Sequence, residues 1–527
     1  MYLLHCSQTL GDDGVLKTAL LALRRLIGKH SGSRVAQIVV DVLADYNILH
    51  KAGSFMMDNA RDNDALAEAL ESVLPDFNPR WHRLRCIGHI INLIVKALLF
   101  GKGVSKMQME LAGASDDNAF KIWSKMGPIG KAHNICIYIN RNDQRREAFR
   151  SCITGAYGEE DQPFNLQLIV DRGVRWNAVY AMIKRVLHLR NAIELYQNRW
   201  EKPSEANAYD LSADFLANDD FNTLELFSKL LKKFHDLTMD MEGNANRAGY
   251  EGSYGAVWEV IRSMQYMFNF LAKASKKIDS NPSAFPEYYK TGVDCAYLKL
   301  IKYYALTDET PIYRAAVVLH PAFKMDYFEE QWGGNDSKSW LRRCKKDVGE
   351  FFACYEERYT TRSASPLVGE EVAPTRLRVL HDRQRPDDSS SDEDFAHHGR
   401  IDPSKRANKR QKVRSELDRW CDSSPTDEEV LVVNPLEWWR NSKSVYPILY
   451  QMAMDLFSIP AMSSECERKF SSADDDITDD RNRLADNTIE SLQLQKDWLQ
   501  KGLVGDAPEV RGSAISTICT PTPTRDG

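Results

Sequence analysis

Disulfide spacing is the first thing missing from this sequence. Its ten cysteines are scattered, with no C-x-x-C and no paired spacing, which excludes a cysteine-stapled framework and suits free thiols in a reducing compartment. No apolar run approaches the roughly 18 residues of a membrane helix, and no early segment joins a charged start, an apolar stretch and a small-residue cleavage site. The reading is an intracellular chain with no membrane partner. An excess of charge is lacking too: 69 Lys and Arg against 75 Asp and Glu leave a net of -6. Bulk charge therefore gives no argument for nucleic acid, and any basic surface has to be local. There is no internal repeat.

What is present is enough apolar residue for a real core: 527 residues, 43% of them hydrophobic and 10% aromatic, suffice for two or three domains. The opening "MYLLHCSQTL", the turn "GDDG" and "VLKTALLALRRL" predict two strands joined by a hairpin, although the second also fits a helix. "SRVAQIVVDVLADYNIL" predicts a helix with Val35, Ile38, Val39, Val42 and Leu43 on one face, ending near Asn47. "AGSFMMDNA" predicts a short buried strand with Asp58 just past it, and "DALAEALESVL" another helix, so that the block to about residue 200 reads as mixed α/β. From 201 to 360 the apolar spacing is helical, as in Leu224, Phe227, Leu230, Leu231, Phe234, Leu237 and Met241, and in Val257, Ile261, Met264, Phe268 and Leu271. Residues 361–433 turn to Pro, Ser and charge, with "DDSSSDED" and "KRANKRQKVR", and predict a disordered charged linker. Order is expected again from "PLEWWR" over 434–505, and 506–527 read as a flexible tail.

Several small constellations can carry chemistry, each beside a plainer reading. Asp58 in "FMMDNARDND" stands at the C-terminal edge of a strand, where sheets place ligand-binding groups. On pattern alone it is more often a turn former or helix cap. Cys86 and His89 have C-x-x-H spacing, but no second pair lies within reach, so no structural zinc is expected and a packed thiol with a hydrogen-bonded histidine is favoured. Arg175 and Trp176 open a helix, either as an apolar plug with an exposed arginine or as a phosphate-binding guanidinium beside a base-stacking ring; spacing does not choose. Lys405, Arg406, Lys409, Arg410, Lys412 and Arg414 fit nuclear import or phosphate contact better than a merely solvated face. In "IPAMSSECERKF", Ser464 and Glu467 form the S-x-x-E pattern of a capping box.

Taken in order, "SFMMDNARDND", "RLRCIGHIINLIVKALLFG", "RWNAVYAMIKRVLHLR", "SYGAVWEVI", "YYALTDETPIYRAAVVLHPAFKMDYFEEQW" and "SIPAMSSECERKFSSADDDITDDRNRL" resemble the hAT (hobo/Ac/Tam3) superfamily of transposases over roughly residues 15 to 500. The last of these blocks looks like the hAT dimerisation region. The resemblance implies an α/β plus α architecture: an RNase H-like (retroviral-integrase-like) core interrupted by a large all-helical insertion domain. The core's N-terminal part would be residues 1–200, the insertion 201–360, and the dimerisation region at 434–505 would complete the core.

The resemblance also implies three acids that bind divalent ions, Mg²⁺ or Mn²⁺. Hard cations prefer oxygen, and two of them stabilise both the attacking and leaving oxygens of a phosphoryl displacement. Asp58 matches the family's second acid and Glu467 the third; Arg175 and Trp176 match a pair that contacts DNA, and Cys86 and His89 a motif that supports the site. The first acid, its strand and an N-terminal BED zinc finger have no counterpart here, since Asp12, Asp13, Asp41 and Asp45 sit in the wrong places. Asp474, Asp475 and Asp476 would further oppose DNA phosphates. The expectation is a nuclear, transposase-derived protein that meets DNA and forms a homodimer or higher oligomer through its C-terminal region. It is expected to be inactive as it stands; the alternative is a non-enzymatic domesticated protein acting by dimerisation and by binding DNA or protein.

Overall fold

The computed structural model describes residues 2–10, 16–26, 31–74, 77–101, 110, 116–158, 166–171, 176–202, 204, 209–242, 255–332, 338–364, 414–463, 466 and 485–504. Strand β1 (Tyr2–Leu10) pairs antiparallel with β2 (Leu16–Arg25), with a register shift between His5 and Cys6. This is the hairpin reading of the opening. The first half of β2 alternates buried and exposed residues, and then Leu20, Leu21, Ala22 and Leu23 are all buried, so that stretch is covered on both faces. One cover is helix α1 (Gly32–Asp45), whose Val42 packs against Leu21 and Ala22. The helix stops at Asp45, slightly before the expected end, and Asn47 follows in the left-handed region at φ 53°.

Strand β3 (Phe55–Met57) runs parallel to β4 (Arg83–Arg85), with α2 (Arg61–Glu71) and the short α3 (Pro79–His82) between them. Ala36, Val39 and Leu43 of α1 meet Leu66, Ala67 and Leu70 of α2 in a small separate core. Contrary to the buried strand expected at "FMM", all three residues of β3 are only half-buried, because a three-residue strand with one described neighbour has little to cover it.

Among the described residues, every strand lies before Cys86. The mixed pattern read up to about residue 200 thus gives way to helix much earlier, and the chain is mostly helical. The reason is in the spacing after Cys86: Ile87, Ile90, Ile91, Ile94, Val95 and Leu98 are all buried on α4 (Ile87–Phe100). Then come α5 (Asp116–Ser124), α6 (Gly127–Asn140), α7 (Asp143–Tyr157), α8 (Trp176–His188) and α9 (Arg190–Arg199). Long helices α10 (Asn218–Glu242), α11 (Glu259–Ser280) and α12 (Glu287–Thr307) complete this body. The stripe on α10 is buried as its spacing predicts, whereas on α11 Met267 and Phe270 enter the core and Phe268 only borders it. Helix α12 crosses α4 closely enough that a Cβ on Gly292 would lie 2.3 Å from the Leu98 carbonyl oxygen, which requires glycine there.

Next in the chain are α13 (Pro311–Leu319), α14 (Asp326–Trp332) and α15 (Lys338–Ala364). The expected linker at 361–433 is shorter at both ends than its composition suggests: α15 runs through Ala364, and residues 414–433 are folded. Two capping boxes start α16 (Glu416–Cys421) and α17 (Asp427–Val430), Ser415 with Asp418 and Thr426 with Glu429, and Leu417 and Trp420 anchor the segment in the core. Residues 365–413, with the basic run, lie outside the described residues. Helices α18 (Pro435–Asn441), α19 (Pro447–Phe457) and α20 (Asp486–Gln500) end the described fold.

The eight cysteines with described side chains are free thiols, and no described helix is long and apolar enough to cross a membrane.

Candidate functional site

Asp58 follows β3 directly. Its Oδ1 accepts from the Ala60 amide at 2.8 Å and from Asn63 Nδ2 at 2.6 Å, an Asx turn that leads into α2. The turn-former reading and a ligand role are compatible, because one carboxylate oxygen holds the turn and thereby orients the other. On β4, Arg83 and Arg85 are two residues apart and so share a face. Both reach Asp64 Oδ1, at 2.9 and 3.5 Å. Arg83 also donates to the Asp58 carbonyl at 3.3 Å, and Arg85 to Asn59 Oδ1 at 3.2 Å. Burial, and then the charge of Arg85, lower the Arg83 pKa from its ordinary value. The Asp64 and Asp58 carboxylates both offset the charge of Arg83, which is buried, so of the two guanidiniums only that of the half-buried Arg85 borders solvent.

Cys86 is the joint of the site. Its amide donates to the Met57 carbonyl at 2.8 Å, one residue before Asp58, and it stands at the N-cap of α4. Its buried Sγ accepts from both the amide and the hydroxyl of Ser463, each at 3.3 Å. The next amide, of Ile87, donates to the Ala461 carbonyl at 3.1 Å. A Cβ on Gly88 would come within 2.1 Å of Met462 Cε, so the first turn of α4 admits the C-terminal segment only with a bare backbone or a displaced methionine. On its other side that segment pairs with residues 255–257: Ala461 N–H donates to the Gly255 carbonyl at 2.7 Å and Val257 N–H to the Ile459 carbonyl at 2.9 Å. Residues 459–463 are thus held from both sides, four residues before Glu467.

Glu467 itself, with Ser464 and Asp474–Asp476, lies outside the described residues, as do Arg175 and the cluster of Lys405, Arg406, Lys409, Arg410 and Lys412. His89 is one turn into α4 and half-buried. Trp176, the first residue of α8, is 5% exposed and packed in the helical core, so its ring is not open to a base in this arrangement. Five residues before it, buried Asp171 pairs with His133 Nδ1 at 2.6 Å, and Trp123 stacks on that imidazole at 3.8 Å. Sequence reasoning missed this dyad, along with Arg83 and Arg85. It also missed Glu259, whose Oε2 accepts from the Gly255 amide at 2.6 Å and whose pKa burial pushes up to about 7. Among the described residues, no three His, Cys, Asp or Glu side chains cluster as a metal site.

The C-terminal helices are tied to the rest by polar contacts that composition does not reveal. The last carbonyls of α13 have no partners within their own helix. The Trp420 indole donates to the Val318 carbonyl at 2.7 Å and the Trp439 indole to the Leu319 carbonyl at 2.9 Å. Both tryptophans are fully buried within the chain. Lys324, left-handed at φ 47° and buried, sends Nζ to Glu429 Oε2 at 2.8 Å and Ser423 Oγ at 3.1 Å, and lies over the Trp420 ring at 4.3 Å. Glu416 Oε2 accepts from the Ile448 and Leu449 amides, both at 3.0 Å, and so caps α19. Helix α20 covers the edge of β2: Leu20 N–H donates to Asp497 Oδ2 at 2.8 Å, Leu23 N–H to Glu490 Oε1 at 3.1 Å, and Trp498 to the Leu20 carbonyl at 2.9 Å.

Residues 416–499 match the family described as the hAT family C-terminal dimerisation region, residues 84–214 the ZBED1 RNase-like helical domain and residues 1–82 the ZBED1 RNase-like domain. Among similar curated proteins, the putative transcriptional regulator tpeD of Talaromyces stipitatus is 24% identical over 92% of this chain and 50% of its own length. The putative AC transposase of Zea mays is 23% identical over 96% of this chain and 56% of its own length. The zinc finger BED domain-containing protein RICESLEEPER 2 of Oryza sativa subsp. japonica is 21% identical over 99% and 65%. The chain spans about half the length of the first two of these relatives.

Proposed function

Because this chain belongs to the hAT superfamily of transposase-derived proteins, we propose that it is a nuclear, oligomeric DNA-binding protein descended from a metal-dependent strand-transferase. In this reading an RNase H-like core runs from residue 1 to about 200 and is completed by the C-terminal helices, with a helical insertion between. The observation that carries it is the pair of hydrogen bonds that Ser463 donates to the Cys86 thiol, which draws the segment leading to Glu467 against the end of β3 and Asp58.

Asp58 and Glu467 would then share a divalent cation. The described residues fit that role in part: Asp58 is a hard oxygen ligand oriented by its own Asx turn. A bound Mg²⁺ or Mn²⁺ would supply charge stabilisation at a phosphoryl group. This chain's own contribution would be to orient the two carboxylates through Cys86, to brace the Asp58 turn with the buried Arg83, and to receive a backbone phosphate at Arg85. Arg175 and the basic cluster at 405–412 are further candidate phosphate contacts, the latter also for nuclear import.

No described acid upstream of Asp58 supplies a third ligand. Asp45 pairs with Arg24 and Asp41 accepts from Gln37 on the surface of α1. Two carboxylates alone hold a cation weakly, so this chain by itself is expected to bind DNA without strand transfer; the alternative reading is a non-enzymatic role by dimerisation and binding. The test is a Mn²⁺-supplemented cleavage assay on duplex DNA with the wild type, Asp58→Ala and Glu467→Ala, run beside a gel-shift assay. DNA retention with cleavage no higher than in the variants is expected. Mn²⁺-dependent cleavage that both substitutions abolish would instead establish an active enzyme.

A further inference from the structure

Resting on the oligomeric reading above, the fold also points to where two copies meet. Residues 430–433 read V-L-V-V. Leu431 is 78% exposed, Val430 57% and Val433 53%, and none of the four belongs to the hydrophobic core. Single exposed aliphatics are ordinary on a folded surface, but a consecutive run of them marks a contact site.

This run is also held rigidly. The amides of Val430, Leu431 and Val432 donate to the carbonyls of Thr426, Glu428 and Glu429 at 3.0, 3.3 and 3.1 Å. Glu429, just before it, is fixed by Lys324 and by the Thr426 amide, and Asn434, just after it, caps α18 through the Glu437 amide at 3.1 Å. The apolar side chains are therefore displayed by a segment pinned at both ends, with little ordering entropy left to lose on association.

We propose that Val430, Leu431 and Val433 form the apolar centre of a two-fold contact between copies of this chain. Three observations select a second copy as the occupant. The run lies inside the 416–499 match to a dimerisation region. Trp420 and Trp439 of that region, which would otherwise be natural anchors, are buried within their own chain. And the flanks differ in charge: Asp427 and Glu428 precede the run, whereas Arg440 and Lys443 follow it beyond the single acid Glu437, so antiparallel copies bring the acids of one toward the bases of the other. A stable contact takes about 800 Å² on each partner, so the run would be its centre and the surfaces of α17 and α18 its rim.

The test is sedimentation equilibrium on the full chain from about 1 to 50 μM, comparing the wild type with Leu431→Glu/Val433→Glu and with Leu492→Glu/Leu499→Glu. The second double variant alters the exposed leucines of α20. A wild-type dimer whose dissociation constant rises at least tenfold only in the first variant, with thermal melting unchanged, is expected. A wild-type monomer overturns the oligomeric reading and this surface together. A dimer untouched by Leu431→Glu/Val433→Glu, or dissociated by the α20 variant instead, leaves that reading standing and overturns this surface. A wild-type monomer that a separately supplied protein captures through Leu431 assigns the run to a different partner and overturns the proposal.

Discussion

The thiol of Cys86 accepts two hydrogen bonds from Ser463, 377 residues further along the chain, while the Cys86 amide holds the end of β3. One side chain thus fastens the strand of Asp58 to the segment of Glu467. Cys86→Ala leaves the Ser463 amide without its acceptor and is expected to cost about 1–3 kcal/mol, with faster amide exchange over 459–463. Ser463→Ala keeps the amide bond and should cost about 1 kcal/mol or less. Equal exchange rates at Ser463 in the wild type and Cys86→Ala would remove the thiol from this role.

Lys324 makes a second prediction. Removing one partner of a buried ion pair strands the other, so Lys324→Ala is expected to destabilise by about 3–5 kcal/mol and to open 416–433 to proteolysis first. Lys324→Gly loses the same pair with Glu429 but suits the positive φ of 47°. It should therefore unfold about 1 kcal/mol later than the alanine variant. Urea unfolding of the two variants checks the difference, and an alanine variant at least as stable as the glycine would contradict the backbone assignment.

How far the sequence carries can be judged from these same residues. The opening hairpin, α1, α4 and α10 follow from apolar spacing, and the turn at Asp58 from its residue type. Lys324 shows nothing of its partner, because the ion pair spans 105 residues, and a lone lysine in "HPAFK" reads as solvated. Trp439 in "PLEWWR" announces burial but not that α13 ends on a carbonyl its indole can cap. Likewise, composition alone assigned 414–433 to a linker, since two capping boxes and a single Trp420 weigh little in a window of charge and proline.

Glu259 predicts a pH dependence. Its ordinary value is 4.5 and burial pushes it up to about 7 in the fold. Between those values the folded chain keeps a proton that the unfolded chain releases, so the protein loses stability as pH rises through that window. Glu259→Gln lacks this loss. The variant should gain on the wild type by on the order of 3 kcal/mol from pH 4.5 to above pH 7, by urea unfolding. Asp308, also raised to about 7 by burial, titrates in both proteins and cancels in the comparison. Parallel stability curves would contradict the burial of the Glu259 charge.

The cover over β2 gives a fourth prediction. Asp497→Ala unpairs the Leu20 amide, with an expected cost of about 1–3 kcal/mol, and should expose the strand edge to self-association. Hydrogen exchange at Leu20 is the readout. Asp497→Asn retains an acceptor and should retain protection. Full protection of Leu20 in Asp497→Ala would mean that α20 is not what covers that edge.

In the proposed function, Asp58 and Glu467 belong to one cation site. Electron paramagnetic resonance of a Mn²⁺ titration tests it most directly, on the wild type, Asp58→Asn and Glu467→Gln. The expected result is one weakly held ion whose affinity falls at least tenfold in each variant alone. Binding that survives either substitution unchanged would contradict the claim.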